Sequence, residues 1–489
     1  MNDRRNWSLL PRTRMRLARL WHELSSPLRD RNSGRFDADL PDEDAERLRD
    51  QIEACIVERG GEVTGRARAA DLGRTYLDLS PTGRERFLTI LAEGFAADGG
   101  DVGAAITDWH ETDGEAARQG AEARLRQALE PPRRHMLRQF NILPEGLKFL
   151  VNMRADVRRL ARSDSAFAGL DGDLRDLLAS WFDVGFLELR RISWDEPASL
   201  LEKLIAYEAV HEIRSWDDLK NRLDSDRSCY AFFHPRMPDE PLIFVEVALV
   251  TGLAGNIQDL LDEAAPAADP ETADTAIFYS ISSAQAGLAG VSFGDFLIKR
   301  VVDDLKARLP NLTTFATLSP IPGFRKWLDP RLAEGGEGLL TDSEIQGLER
   351  ATGRIDGATA LRNVLTQDGW LDDETLAAAV QAPLMRLCAR YLLEERRVGT
   401  GDGRSGAKGE TAASEGAALD RVAHFHLTNG ARVESLNWAA DSSAKGLRQS
   451  AGLMVNYLYD LAEIEPNHER YMRAREVAAA APVRNLLKT

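Results

Sequence analysis

Three glycines that follow an apolar run are the first candidates for binding a ligand. Gly287, Gly290 and Gly294 form the spacing QxGxxGxxxG directly after the segment AIFYSIS at 276–282, and the apolar helical pattern FLIKRVVDDL follows them. Backbone N–H groups that converge at the start of a helix bind phosphate without a metal ion. The spacing therefore predicts a strand, a diphosphate-binding loop and a helix.

These glycines match neither of the two common nucleotide-binding patterns. The segment lacks the GxxxxGK[ST] sequence that holds a triphosphate with magnesium, and no acidic residue stands where a Rossmann fold binds the ribose. A glycine-rich turn from strand to helix is also common as a purely structural feature. A tight turn without a ligand is therefore the competing interpretation.

A serine hydroxyl at the end of the next apolar run is the first candidate for chemistry. Ser319 lies in TTFATLSPIPGF at 313–324, where a second strand is expected to end beside two prolines. A hydroxyl in such a place can donate a hydrogen bond to a developing negative charge. A serine before a proline is equally common as a turn residue.

Two histidines and a tyrosine in the last quarter of the chain are further candidates. His424 and His426 lie in 421–438, where we expect a strand, an Asn-Gly turn and a second strand, so both side chains would share one face of a strand. Such a pair could ligate a metal, but no third ligand is recognisable, and a metal site is not predicted. Tyr459, in the final helical pattern at 452–464, is a possible site hydroxyl or a core residue.

The elements that must position these residues fall into two parts. Residues 1–185 show apolar positions at helical spacing, and Ser80-Pro81 has the sequence of a helix start. Residues 186–489 mix strand and helix patterns, and their Gly/Ser/Ala-rich segment 399–418 is predicted to be a flexible loop. We predict an α+β protein with an all-α helical bundle followed by a mixed α/β domain.

Composition limits the classes of function. The chain has 489 residues and a net charge of −16, which argues against a general nucleic-acid-binding protein. Its cysteines, Cys55, Cys229 and Cys388, form no CxxC pair, and no apolar run is long enough to span a membrane. The arginine-rich start could be a transit peptide, but a frayed amphipathic helix is the favoured interpretation. The expected location is cytoplasmic.

Several strings along the chain resemble a known family. The glycine loop resembles the diphosphate loop of the GNAT acyl-CoA-binding fold, and VEVAL, FYSIS, GLAGV, FLIKRVV, LSPIPGF, APLMRLCARYL, HFHLTNGA and GLMVNY occur in the order seen in malonyl-CoA decarboxylases. The match covers about Phe186 to Tyr459. The resemblance implies a helical N-terminal domain joined to a GNAT-like catalytic domain.

The resemblance also assigns functional residues. It implies that Ser319 and His426 are catalytic and contact the substrate. The hydroxyl would stabilise the carboxylate or the oxyanion, and the histidine would donate a proton. The coenzyme A loop would comprise Ala289, Gly290, Val291, Ser292, Phe293, Gly294 and Asp295.

The activity that the resemblance implies is conversion of malonyl-CoA to acetyl-CoA and CO2. It requires no cofactor, because the thioester itself accepts electrons, and it implies a homo-oligomer, suspected to be a tetramer. Two other functions stay open at this point: a GNAT-type N-acyltransferase that uses acyl-CoA, and a non-catalytic acyl-CoA sensor.

Overall fold

The structure, a computed structural model, describes two compact units. The described residues are 11–25, 36–57, 61–291, 296–354, 356–398 and 416–488. Within them, the first unit takes in Met1–Glu188, Phe233–Pro241 and Gln285–Phe293, and the second takes in Leu189–Phe232, Leu242–Ala284 and Gly294–Thr489. The chain therefore returns to the first unit twice after the second has begun.

The first unit is helical, as the sequence predicts. Ser80 accepts a hydrogen bond from the Gly83 N–H and Pro81 opens the next helix, so the expected helix start is confirmed. No helix in the described part of the chain is long and apolar enough to cross a membrane. The helices are α1 Pro11–Ser25, α2 Asp42–Ile56, α3 Gly61–Asp78, α4 Pro81–Gly94, α5 Gly99–Glu111, α6 Glu115–Leu129, α7 Arg133–Ile142, α8 Gly146–Leu160 and α9 Ala168–Trp181.

Helix α8 lies at the centre of this unit. Most of its side chains are buried, and the ring of Phe149 meets the rings of Trp21, Tyr76 and Phe140 edge to face, at centroid distances of 4.7, 5.6 and 5.0 Å. Such aromatic contacts add to the free energy gained from apolar burial alone.

Strands and further helices follow along the chain. The strands are β1 Glu188–Ile192, β2 Arg227–Phe233, β3 Ile243–Val250, β4 Thr275–Ser283, β5 Thr314–Thr317, β6 Ser319–Pro320, β7 Arg432–Asn437 and β8 Met454–Leu458. The helices are α10 Ala198–Tyr207, α11 Trp216–Asn221, α12 Ile257–Leu260, α13 Phe296–Arg308, α14 Phe324–Ala333, α15 Asp342–Thr352, α16 Gly357–Thr366, α17 Glu374–Leu393, α18 Arg421–Thr428, α19 Ala444–Ser450, α20 Ile464–Ala474 and α21 Ala481–Asn485.

The strands form one mixed sheet with the order β1-β2-β3-β4-β5-β8-β6, and β7 pairs with β8. Strands β4 and β5 are parallel and pair from Thr275 with Thr314 to Phe278 with Thr317. Beyond that point β4 continues to Ser283, whereas the chain after β5 turns to pair with β8 through Ser319. The two parallel strands therefore separate where Ser319 lies.

The two faces of the sheet differ around β5. Ala316 and Leu318 belong to a buried apolar cluster that includes Tyr279 and Met454. Because successive side chains of an extended segment point to opposite faces, Thr317 and Ser319 lie on the other face. Polar groups are thereby separated from this apolar cluster.

Two local predictions from the sequence were wrong. Residues 421–428 form helix α18, not a strand; its buried residues Ala423, His426 and Leu427 recur at the three- and four-residue spacing of a helix. Residues 454–458 form strand β8, not part of a helix, because β6 and β7 pair with this segment on its two sides. A strand buried on both faces lacks the alternation that identifies strands in a sequence.

A buried arginine holds two carboxylates in the second unit. Arg222 is 2% exposed; its Nε donates to Asp218 Oδ1 at 2.7 Å and its Nη1 to Glu246 Oε2 at 2.9 Å. Burial raises the pKa of Glu246 to about 7, against the opposing effect of the Arg222 charge. The positive charge of the guanidinium therefore offsets the cost of burying the carboxylates of Asp218 and Glu246.

We expect Arg222→Met to lower the free energy of unfolding by about 3–5 kcal/mol, because it leaves these acids without their cation. Arg473→Met is the matched control, since Arg473 pairs with Glu469 at 3.5 Å on the surface, where both side chains are exposed. That control should cost less than about 1 kcal/mol. Urea unfolding measures both, and equal effects would contradict the expectation.

Candidate active site

The hydroxyl of Ser319 lies in a buried position at the end of the separating strands. Ser319 is 5% exposed and pairs with Val455 of β8. Its Oγ lies 2.8 Å from the Oγ1 of Thr317, which is fully buried and also accepts the N–H of Tyr457 at 3.2 Å. The backbone and a neighbouring side chain thus both orient the serine.

His426 lies against this hydroxyl. Its Nε2 is 3.2 Å from Ser319 Oγ and its Nδ1 is 2.7 Å from the hydroxyl of Tyr459. The imidazole stacks on the ring of Tyr457 at a centroid distance of 4.5 Å and an interplanar angle of 25°. The structure therefore brings together three residues that the sequence singled out, Ser319, His426 and Tyr459.

One arrangement of protons satisfies these contacts. Ser319 donates its proton to Thr317 Oγ1, so its own oxygen accepts from Nε2–H of His426. Nδ1 then carries no proton and accepts from the hydroxyl of Tyr459. This assignment follows from the hydrogen-bond network and leaves an Nε2–H directed at Ser319.

The histidine is neutral in this environment. Burial lowers the pKa of His426 to about 3, because an imidazolium would lose its hydration. His426 is only 2% exposed. The site consequently holds a neutral imidazole between two hydroxyls.

His424 takes no part in this group. Because a helix turns by about 100° per residue, side chains two positions apart point to nearly opposite sides of it. The Nδ1 of His424 accordingly lies 2.8 Å from the hydroxyl of Tyr471 and not near Ser319. The expectation that both histidines share one face was therefore wrong. Among the residues that the structure describes, no cluster of three or more His, Cys, Asp or Glu side chains could hold a metal.

Only part of the predicted coenzyme A loop is described. Ala289, Gly290 and Val291 follow a short 3-10 turn and belong to the first unit, and Gly290 has a φ of +76°, which favours glycine. Ser292, Phe293, Gly294 and Asp295 lie outside the described residues. The binding role of these seven residues stays a prediction.

Gly287, the first glycine of the QxGxxGxxxG spacing, has a packing role. A Cβ on Gly287 would lie 1.7 Å from the carbonyl oxygen of Val151 in α8. The carbonyl of Gly287 accepts a hydrogen bond from Arg154 Nη1 at 2.8 Å, and that of Ala286 accepts one from Arg158 Nη1 at 2.8 Å. Close approach to α8 therefore explains Gly287 without a ligand.

Sequence reasoning missed two members of the site. Thr317 stands two residues before Ser319 on an extended segment, so the two-residue period of a strand could have placed both hydroxyls on one face. Tyr457, whose ring stacks on His426, was concealed because its segment was assigned to a helix.

Most of the chain matches one family of known proteins. The malonyl-CoA decarboxylase C-terminal domain family matches residues 185–489, and the N-terminal domain family matches residues 95–182. The mitochondrial malonyl-CoA decarboxylase of Mus musculus is 40% identical over 420 residues, which are 83% of this chain and 82% of the mouse protein. That of Anser anser anser is 39% identical over 435 residues, 85% of this chain and 82% of the goose protein.

The fold of this chain is also similar to solved crystal structures, at comparable sequence identity. The crystal structure of malonyl-CoA decarboxylase from Rhodopseudomonas palustris has a TM-score of 0.79 at 41% identity, covering 90% of this chain and 99% of the other. The crystal structure of the Agrobacterium vitis protein has a TM-score of 0.78 at 39% identity, with the same coverage.

The low pKa of His426 predicts a pH dependence of stability. An unfolded histidine titrates near pH 6.5, so below that pH the unfolded chain binds a proton that folded His426 does not. The free energy of unfolding should fall as the pH falls from 6.5 to 4, by up to about 1.4 kcal/mol per pH unit for this side chain. Urea unfolding of the wild type and of His426→Gln at several pH values isolates the contribution of His426 to this change. If the free energy of unfolding changed equally with pH in both proteins, the assignment would be wrong.

Proposed function

The chain belongs to the malonyl-CoA decarboxylase family, and from this premise we propose that it converts malonyl-CoA to acetyl-CoA and CO2 at the Ser319–His426 pair. The observation that carries the proposal is the 3.2 Å contact between Ser319 Oγ and His426 Nε2 in a buried polar group. That group lies beside the point where β4 and β5 separate.

The reaction needs an electron acceptor and a proton donor. When the bond between the α carbon and the carboxylate breaks, CO2 leaves and the electron pair moves into the thioester carbonyl, giving an enolate. When the substrate binds, the hydroxyl of Ser319 is suited to turn from Thr317 Oγ1 and donate its hydrogen bond to the enolate oxygen, in a site shielded from water. The thioester is the electron acceptor, so the chemistry requires no organic cofactor.

His426 is suited to supply the proton. In the free protein it is neutral, and the malonyl carboxylate raises its pKa on binding, since an opposite charge nearby favours the imidazolium. Both N–H groups of the imidazolium then have hydroxyl oxygens to accept them, those of Ser319 and Tyr459. The imidazole takes up its second proton from solvent at Nδ1 as the substrate binds, and after CO2 has left it passes the Nε2 proton to the α carbon. The imidazole is then the neutral Nδ1–H tautomer, and proton exchange with solvent after product release restores the Nε2–H tautomer.

Binding of the coenzyme is a separate part of the proposal. The seven-residue loop Ala289–Asp295 is proposed to bind the diphosphate of coenzyme A through backbone N–H groups, on the strength of its resemblance to the GNAT loop. Within the second unit, the gap between the diverging ends of β4 and β5 is proposed to admit the pantetheine arm. A cytoplasmic location stays a prediction from the sequence.

Substitutions at the pair test the assignment. Ser319→Ala and His426→Asn should each lower kcat for CO2 release from malonyl-CoA by about two to four orders of magnitude. Tyr459→Phe should lower it about tenfold, because the imidazole loses the donor that fixes its tautomer. The matched control is His424→Asn on the same helix, which should retain wild-type turnover.

Three outcomes would contradict the proposal. Turnover near the wild-type value in both Ser319→Ala and His426→Asn would remove these residues from the mechanism. CO2 release is to be measured without any amine acceptor; an enzyme that transfers an acyl group only when an amine is present would be an acyltransferase, and coenzyme A binding without turnover would indicate a sensor.

We also propose that the helical unit forms a homo-oligomer. Helix α5 has no buried residue, and Ile106 on α5 and Leu129 on α6 are 42% and 53% exposed. Light scattering should give a multiple of the 54.1 kDa chain mass, and Ile106→Glu with Leu129→Glu should lower it. Leu253→Glu, at an exposed leucine of the second unit, is the control. A monomeric wild type at micromolar concentration would contradict the proposal.

A further inference from the structure

One buried carboxylate bonds both segments that carry the proposed catalytic pair. Oδ1 of Asp420 accepts hydrogen bonds from the N–H groups of Val422 and Ala423 at 2.9 and 3.0 Å and so caps helix α18. Its Oδ2 accepts the N–H of Gly323 at 3.3 Å and the hydroxyl of Tyr391 at 3.3 Å. Asp420 is 2% exposed.

The two sides of this carboxylate lead to different catalytic residues. Helix α18 carries His426, six residues after Asp420, and Gly323 closes the Pro-Ile-Pro turn that begins at Ser319. We propose that Asp420 is a positioning residue, which fixes the helix of His426 relative to the turn of Ser319. The inference rests on the proposed function, because it assigns Asp420 a role through that pair.

The packing around the turn supports a fixed geometry. A Cβ on Gly323 would lie 2.0 Å from the hydroxyl oxygen of Tyr391 and 3.1 Å from Oδ2 of Asp420. The ring of Tyr391 lies against Phe324 and Trp327 of α14, at centroid distances of 5.8 and 5.5 Å. The turn therefore packs directly against the carboxylate and the Tyr391 hydroxyl, with no space between them for a side chain at position 323.

The second oxygen distinguishes Asp420 from an ordinary helix cap. Asp373 caps α17 by accepting the N–H groups of Thr375 and Leu376 through one oxygen, and it is exposed. Asp420 makes the same two bonds within its helix and adds two to other parts of the chain. Burial raises the pKa of Asp420, while the donors that surround it act in the opposite direction. A cap alone needs neither the burial nor the second set of bonds.

The test separates capping from bridging. Asp420→Ser keeps a capping hydroxyl but has no second oxygen to reach Gly323, so the chain should fold and kcat should fall about 10- to 100-fold with KM within about twofold of the wild type. Asp420→Asn should recover part of that loss, because its amide caps the helix and can still bond Tyr391. Asp373→Ser, the matched cap, should leave kcat unchanged.

A double substitution shows through which residues Asp420 acts. In a Ser319→Ala background, Asp420→Ser should lower kcat by less than about twofold more, because effects on one catalytic unit are not additive. If Ser319→Ala itself kept wild-type turnover, the proposed role of Ser319 in the catalytic pair would fail whatever Asp420 does. If Ser319→Ala were impaired while Asp420→Ser kept full kcat, or if the two losses simply multiplied, the positioning role would be wrong and the proposed function would stand.

Discussion

The side chain of Asn456 joins strands that the backbone alone connects weakly. Strand β8 pairs directly with β5 at one position, Ala316 with Leu458. Asn456 is 1% exposed; its Nδ2 donates to the carbonyl of Thr317 at 2.7 Å, and its Oδ1 accepts from Ser435 Oγ of β7 at 2.6 Å. A buried amide whose bonds span three strands holds them together, and its bond to Thr317 ties it to the segment that carries the Ser319 hydroxyl.

The sequence predicted the segment around the glycines well. Its strand, helix and second strand lie where the pattern placed them, because the two strands are short and apolar and the helix has apolar residues at helical spacing. Ser319 could be singled out as a hydroxyl at a strand end. His426 could be chosen over His424 only through resemblance, because HFHL alternates like a strand, whereas tertiary contacts and the Asp420 cap make it a helix.

The glycine spacing shows how a motif can combine two requirements. Gly287 is required by its contact with α8 and Gly290 by its positive φ, so two glycines of QxGxxGxxxG have backbone reasons that involve no ligand. In the described part of the loop, the N–H groups of Ala289 and Val291 donate to the carbonyls of Ala286 and Leu288 at 3.4 and 2.9 Å, so these backbone bonds add no support for phosphate binding. Spacing alone could not separate the two interpretations.

His426 stacks on Tyr457, and no charged side chain among the described residues shifts the pKa of its imidazole, which bears on how the proposed enzyme would release its product. A site of this kind stabilises a cation only while an anion accompanies it. Acetyl-CoA lacks the carboxylate of malonyl-CoA, so its acetyl group provides no negative charge to stabilise a protonated His426. Substrate and product would thus differ in the charge that the site accepts, and this difference favours turnover over product inhibition.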